Sequence, residues 1–379
     1  MRRFVISMIA IFGVIALGLV LLMATVIRTG RLPISSSYSI ADVSLVKTSN
    51  LSMEGITRLS LEYSSDDIRF YESDTEELIL KEYMSITPKE KELTQIKQTS
   101  SELRLRGGDR MRQNWIFNHY NGYVEVYLPA DYHGSISAST SSGNVDSDLV
   151  LNQSDFAAAC SSGDIRLHEV HADQISAATT SGNIEFDRAE GTRSFASSSG
   201  DIKIHGGNGD TDASSTSGNI TINETTGELR ADSSSGNITI EAADGTKEIE
   251  TTSGEITLSD CSGFIEASAS SGNIEISDLG GAGDFETTSG NIKVSFTEEL
   301  LSSKEDIIAD ASSGNVELSL PSGLSFDFSA ETSSGDIDTY FDDNLSYKQD
   351  GDYASGTVGT SPVFRIELTT SSGNIRVED

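Results

Sequence analysis

Along most of the chain, polar and apolar residues alternate in short runs that begin just after a glycine. Asn237-Ile238-Thr239-Ile240 is one such run. A period of two marks a half-buried β-strand, whose successive side chains point to opposite faces. A phrase of the form Ser/Thr-Ser-Gly, usually followed by Asn or Asp and then Ile or Val, introduces these runs. It recurs at Gly143, Gly163, Gly182, Gly200, Gly218, Gly236, Gly254, Gly272, Gly290, Gly314, Gly335 and Gly373, with a degraded copy, Ala-Ser-Gly-Thr-Val, at Gly356. From Gly182 to Gly290 the spacing is 18 without exception, and a second glycine follows nine residues after the first, as at Gly191, Gly209 and Gly227.

Each period therefore holds two turns and two short strands. A fixed period of this size is the signature of stacked repeats, in which every unit buries its apolar face only against its neighbours. Stacking superimposes Ile184, Ile202, Ile220, Ile238, Ile256, Ile274 and Ile292 into one apolar column, which is the expected core. The second strand of each rung adds Leu229 and Ala231, Ile249 and Thr251, or Ile265 and Ala267 to the same interior. The expected fold class is all-β: a parallel β-solenoid with about 18 residues and two short strands per rung, filling residues 141–379. Glycine is required at the corners, where the chain reaches positive φ or neighbouring backbones come close. The column Asn183, Asp201, Asn219, Asn237, Asn273 and Asn291 is expected to be a ladder of corner residues rather than a cation site, and the preceding Ser and Thr are expected to serve the turns.

Ahead of the solenoid, residues 31–55 are expected to be a polar linker and residues 56–140 a strand-rich N-terminal cap, because a solenoid end otherwise exposes unpaired strand edges. Within the cap the phrase Ser64-Ser65-Asp66-Asp67-Ile68 repeats the corner pattern with Asp66 in place of glycine. The run from Val124 through Leu128-Pro129 to Val145 is echoed by the run from Val316 through Leu320-Pro321 to Ile337, which suggests two related blocks with a break near residues 295–313. That insertion and the segment 341–353 are expected to be surface loops. The last rung, Asn374-Ile375-Arg376-Val377, is expected to leave an open strand and to support weak end-to-end self-association.

Residues Phe4 to Ile27 form 24 consecutive residues without a charge. At about 1.5 Å per residue they are long enough to cross a hydrocarbon core of about 30 Å, so residues 1–30 are expected to be a single transmembrane anchor with a short basic N-terminus, the alternative being a cleaved secretory signal, for which no clear cleavage site follows. Arg2 and Arg3 before the span nearly balance Arg28 and Arg31 after it, and the acidic, Ser-rich body tips the expected orientation to the outside of the cell membrane.

Charge narrows the partners. The first thirty residues hold three of the 26 basic residues and none of the 59 acidic ones, so the body carries 23 basic against 59 acidic side chains. Such a field opposes nucleic acid and favours cations or basic partners. Against it, residues 81–112 form a basic island with eight basic and five acidic residues, ending near Trp115 and Phe117; it is expected to be a solvated strand face, the lesser alternative being a contact with lipid head groups or an acidic polymer. Cys160 and Cys261 fall in different columns about five rungs apart, over about 20 Å at the usual strand spacing, beyond the reach of a disulfide.

A search for catalytic chemistry leaves little. The histidines His119, His133, His168, His171 and His205 give no recognisable ligand set, the pair His168 and His171 being the nearest approach to one. Gly206-Gly207-Asn208-Gly209-Asp210-Thr211-Asp212 resembles a calcium-binding nonapeptide, but Thr211 stands where Asp is required and the phrase is not repeated. No carboxylate cluster of the glycan-cleaving kind and no Ser/His nucleophile arrangement is present in the sequence, so catalytic, metal and cofactor residues are all expected to be none.

The N-terminal span, the Ser-Ser-Asp-Asp-Ile opening, the Leu-Pro strand end and the serial Thr-Ser-Gly-Asn-Ile rungs together resemble a bacterial family of adhesin-like domains of unknown function, LiaG-like, over residues 56–379. The resemblance implies a fold akin to right-handed, pectate-lyase-like β-helices and a place in the cell envelope. It supplies no catalytic residues. The expected function is that of a non-enzymatic, membrane-anchored extracytoplasmic solenoid contacting an envelope glycan or a membrane protein; the alternative is an accessory of an envelope-stress sensing system acting through protein partners.

Overall fold

The computed structural model describes residues 43–110, 120–348 and 352–379. These residues are almost wholly β-strand, with three short 3-10 turns at Glu90–Glu92, Glu298–Ser302 and Asp342–Asn344. No helix among them is long and apolar enough to cross a membrane, and the expected span at residues 4–27 lies outside the described residues. Two compact units divide the chain: one contains the residues up to Leu149 with Gln153–Arg166, the other Val150–Asn152 with Leu167–Asp379.

In the second unit the rungs pair in parallel at the expected register. Ile184 faces Ile202, which faces Ile220, then Ile238, Ile256, Ile274 and Ile292, every one of them fully buried. The second strands stack likewise through Phe195, Ala213, Ala231, Ile249, Ala267 and Phe285, mixing large and small side chains in one thin core. Two kinds of corner use glycine for different reasons. At the first corner the backbones nearly touch: a Cβ on Gly200 would lie 1.8 Å from the carbonyl oxygen of Gly182. At the second corner Gly209 and Gly227 hold φ of 117° and 111°, a region closed to most side chains.

Two polar ladders run beside the core. Oδ1 of Asn183 accepts the backbone N–H of Asp201 at 2.9 Å, and Oδ1 of Asp201 accepts that of Asn219 at 2.9 Å, each residue capping the rung that follows. Inside the same corner the hydroxyl oxygens of Ser197, Ser215 and Thr251 accept the N–H of Gly200, Gly218 and Gly254 at 2.8, 2.9 and 3.0 Å. A buried backbone donor is thus satisfied at each turn without water.

The order of rungs in space departs from their order in sequence. The chain's last strand, Ile375–Glu378, pairs on one side with Val316–Ser319 and on the other with Ile337–Thr339. Its companion Arg365–Ser372 likewise lies between Ile307–Ser313 and Phe326–Thr332. The expectation of an open C-terminal strand is therefore wrong: the final rung is interior, and the outermost pairing is antiparallel, from Tyr353–Val358 onto Phe326–Thr332 and from Leu345–Tyr347 onto Tyr353–Val358. Gly356 sits in that antiparallel strand rather than at a corner. The 341–353 segment thus belongs partly to this cover, with Phe341 buried, and the 295–313 insertion likewise seats Leu300 in the core through its 3-10 turn.

The first unit performs the same manoeuvre in reverse. Its strands begin with β1 (Ser44–Ser52), β2 (Arg58–Glu62), β3 (Asp67–Ser73), β4 (Glu77–Met84), β5 (Gln95–Gln98), β6 (Glu102–Arg106), β7 (Gly122–Pro129) and β8 (Ser135–Thr140). The rung β2–β3 is inserted between β6–β7 and the rung that starts at β8, since β2 pairs with both β6 and β8, and β3 with both β7 and Val145–Ser147. Each Leu-Pro phrase ends a strand from which the chain crosses over one rung to reach its next strand. The echo between residues 124–145 and 316–337 accordingly marks two rung-skipping crossovers, not the starts of two solenoid blocks. Nor are residues 31–55 a tether throughout, because β1 pairs antiparallel with β4 along Ser44 to Ser52.

Candidate functional site

The residues singled out from sequence are not brought together. Nδ1 of His168 lies 2.8 Å from Oδ2 of Asp187, and Nε2 of His171 lies 2.6 Å from Oε1 of Glu169, so each histidine has its own carboxylate. Among the described residues no group of three or more His, Cys, Asp or Glu side chains is placed to share a metal ion. The calcium-like segment spends its polar atoms on neighbouring rungs: Asn208 accepts from Thr226 Oγ1 at 2.8 Å, and Asp210 Oδ1 accepts the N–H of Glu228 at 3.0 Å. Cys160 and Cys261 are free, buried thiols; burial pushes the Cys160 thiol up to about 12, and the Cys261 thiol up as well. Neither is a thiolate at neutral pH.

Within the basic island Lys89, Lys91, Lys97, Arg104 and Arg106 are exposed, whereas Arg110 is not. Arg104 ion-pairs with Glu62 and Glu102, and Arg110 is buried, bonding Asp66 through Nη1 and Glu82 Oε2 through Nη2 at 2.8 Å. Tyr120 also donates to Asp66, and Thr94 donates to Glu82 through both its N–H and its hydroxyl, at 2.8 and 2.7 Å. Two buried carboxylates thus share one guanidinium, and Oε1 of Glu82 has no hydrogen-bond partner among the described residues. Burial raises the Asp66 carboxyl above its usual range despite the opposing pull of Arg110. Trp115 and Phe117 lie outside the described residues.

The second unit hides two further cations that sequence reading missed. Arg193 and Lys247 occupy the interior column shared with Thr211, Leu229 and Ile265. Lys247 Nζ donates to the carbonyls of Gly245 and Ser262 at 2.7 and 2.6 Å; Arg193 donates to those of Ala189 and Gly209 at 3.0 and 2.5 Å. Both are held by backbone dipoles at the second corner, and burial lowers their proton affinity, that of Arg193 to about 10. Outward from the same strands, carboxylates stack from rung to rung: Glu248 beside Glu266 beside Asp284, with Arg230 bridging Asp232 and Glu248 at 2.8 and 2.9 Å. Partial burial and then the neighbours Glu266, Glu286 and Asp310 raise the Asp284 carboxyl. Beside this face lies an open groove of about 460 Å³ lined by hydroxyls and by Asp232 and Glu250.

A different surface faces outward from β3, β7 and β4. Strand register sets Tyr71 beside Tyr127, Arg69 beside Glu125, and Glu125 beside Lys81, with Tyr123 beside Tyr83. The rings of Tyr83 and Tyr123 stack at 4.4 Å and 11°, those of Tyr71 and Tyr127 at 5.2 Å and 27°. Arg69 lies 4.2 Å from the Tyr123 ring centre and Lys81 4.1 Å from that of Tyr127. Each β7 ring therefore has a ring from one neighbouring strand and a cation from the other. Glu125 stands at the centre, accepting from Tyr127 Oη at 3.0 Å, while Lys81 Nζ donates to the same hydroxyl at 2.9 Å. Burial, then the hydrogen bond to Glu125, pushes the Tyr83 phenol up to about 12, so it remains a donor at neutral pH. The alternate positions of Tyr123-Val124-Glu125-Val126-Tyr127 carried this face in the sequence; only the pairing with β3 and β4 completes it.

A family model described as Toastrack DUF4097 matches residues 56–268 and again residues 248–378. No curated protein matches the chain. Among solved structures, a candidate cell adhesion protein from Clostridium sporogenes aligns at 11% identity over 89% of this chain and 99% of its own, with a TM-score of 0.20. A candidate adhesin from Parabacteroides distasonis aligns at 11% identity over 89% and 98%, with a TM-score of 0.28. A candidate lipid binding protein from the same organism aligns at 12% identity over 88% and 96%, with a TM-score of 0.27.

Proposed function

Because the chain belongs to the Toastrack family (DUF4097), we propose that it is a non-enzymatic, membrane-anchored extracytoplasmic β-solenoid whose outward faces contact components of a bacterial cell envelope. The observation that carries this reading is the register itself. In-line stacking repeats one kind of outward side chain from rung to rung, as in Thr221, Thr239 and Thr257 or Glu248, Glu266 and Asp284. A surface that repeats at strand spacing, about 4.8 Å, suits an extended partner more than a small substrate, which needs convergent groups in a concave site. The uncharged run of residues 4–27 supplies the anchor, and the acidic body favours the outer side over contact with anionic lipid or nucleic acid.

The test uses the full chain kept soluble in amphipol and mixed with isolated bacterial envelopes, with and without prior protease treatment. Co-sedimentation that survives protease supports a glycan or lipid contact. Binding lost after protease points to a protein partner and to the sensing-accessory alternative. No co-sedimentation with either preparation overturns the reading.

A further inference from the structure

The structure assigns a ligand class to the tyrosine face of the first unit: we infer that the outward surface of β3, β7 and β4 binds a neutral, hydroxyl-rich glycan. This rests on the envelope-contact reading above and names the site and the chemistry for it.

Four of the chain's 11 tyrosines, Tyr71, Tyr83, Tyr123 and Tyr127, share this one outward face. The contrast with the second unit is sharp. There the outward column Glu185, Lys203, Thr221, Thr239, Thr257, Glu275 and Lys293 contains no aromatic residue. Half-exposed rings are poorly explained by core packing, since the inward partners Ile68, Phe70, Val124 and Val126 already fill the interior behind them. Tyr71 is 37% exposed at the edge of its stack. Tyrosine provides a broad, rigid contact with little conformational freedom to lose on binding, and pairs that apolar area with a hydroxyl.

The polar groups are fixed in advance. Glu125, Lys81 and Tyr127 form one hydrogen-bonded chain, and Arg69 is held by Asp67 at 3.0 Å and by the Tyr123 ring. Both faces of Tyr123 and Tyr127 are already occupied, so the ring open to a sugar's C–H face is Tyr71 at the end of its stack, with the preorganised carboxylate and cations beside it ready to exchange hydrogen bonds with the sugar hydroxyls.

Charge selects among ligands. Arg69 and Lys81 are matched by Asp67 and Glu125, and Glu77 on the same side of β4 and Asp146 beside Arg69 add negative charge, so the face has no surplus cation to offer a phosphate, and the chain's formal charge of −33 repels polyanions and anionic bilayers. A neutral polyol suffers no such repulsion. The site therefore discriminates against an anionic lipid surface, which has the same need for amphipathic rings but requires surplus cations.

The test uses the full chain in amphipol, with insoluble chitin, an uncharged polymer of N-acetylglucosamine, and, separately, phosphatidylglycerol-rich vesicles as probes. Retention on chitin is expected, and Tyr71→Ala is expected to lower it about tenfold, as truncation of an aromatic anchor does, with Tyr71→Phe largely restoring it. Iodination provides a readout independent of variants: soluble N-acetylglucosamine oligomers should protect Tyr71 while leaving Tyr340 reactive in the unmodified chain. Retention on vesicles but not on chitin would overturn the inference in favour of a lipid surface, and retention on neither would overturn it outright. Chitin binding with Tyr71 unprotected and Tyr71→Ala unaffected would overturn the site while leaving the envelope-contact function standing. Failure to bind protease-treated or untreated envelopes at all would remove both.

Discussion

The backbone N–H of Asn374 donates to Oδ1 of Asn315 at 2.9 Å, across 59 residues of chain, and Oδ1 of Asn374 accepts from the N–H of Asp336 at 2.9 Å. The last residues of the protein are thus a middle rung of its second unit. Deleting residues 360–379 should behave as removal of a core layer, not as trimming of a tail. Ile366, Leu368, Ile375 and Val377 are all buried. At about 1.5–3 kcal/mol for each buried side chain, their loss is comparable with the whole stability of an ordinary domain. Loss of the cooperative melting transition and rapid proteolysis are the expected outcomes; a truncated chain melting within a few degrees of the parent would contradict this topology.

The asparagine ladder has a weak link. Oδ1 of Asn237 accepts the N–H of Glu255 at 2.9 Å, but Glu255 occupies the next place in a column otherwise built of Asn and Asp, and the ladder resumes only with Asn273 accepting from Asn291. Glu255→Asn should extend it by one bond and raise stability by about 0.5–1 kcal/mol, while Asn219→Ala should cost a similar amount. Urea midpoints of the two variants should move in opposite directions from the parent.

A second column was invisible in the residue types. Glu224, Ala242, Asp260 and Asp278, spaced by 18, hold φ of 48°, 53°, 52° and 56°. This left-handed conformation is least costly for Gly, Asn and Asp. Ala242→Asn should therefore stabilise the fold by about 0.5–1 kcal/mol, measured as a raised melting temperature.

Lys247 should make stability rise at alkaline pH. Burial lowers its proton affinity below the ordinary value of 10.5. The unfolded chain therefore binds the proton more tightly, the folded state is penalised at neutral pH, and the penalty is relieved as pH climbs toward 10.5. In Lys247→Met that increment is absent, so the stability of the variant relative to the parent should fall from pH 7 to pH 10.5. Parallel profiles of denaturation midpoint for the two proteins would refute this assignment.

Arg110→Met should leave Asp66 and Glu82 buried without their shared guanidinium, a loss of about 3–5 kcal/mol at neutral pH. The Asp66 carboxyl is already raised by burial and should rise further in the variant. Its charged form is then the unfavourable one, so the destabilisation is largest at neutral pH and lessens as pH falls and Asp66 takes up a proton. Melting curves at pH 5 and pH 7 should show the smaller deficit at the lower value.

The alternation in runs such as Ile238-Thr239-Ile240, the 18-residue spacing and the corner glycines by themselves determined the rung, the apolar column and the polar ladders. They could do so because strand periodicity and corner sterics are local. The order in which rungs stack is not local. A corner such as Gly373 fits equally over Gly314 or beneath Gly335, since every first corner makes the same close backbone approach, and only the competition among all rungs for buried neighbours places the last rung inside. For the same reason the phrase at Gly356 and the Leu-Pro echo were misleading as local signs, and Arg193 and Lys247 gave no hint of their burial, because carbonyls from adjacent turns, not charged partners, receive them. The tyrosine face lies between these cases: alternation set its residues outward along each strand, but the register of β7 against β3 and β4, closed over long stretches of chain, brought the rings and charges into contact.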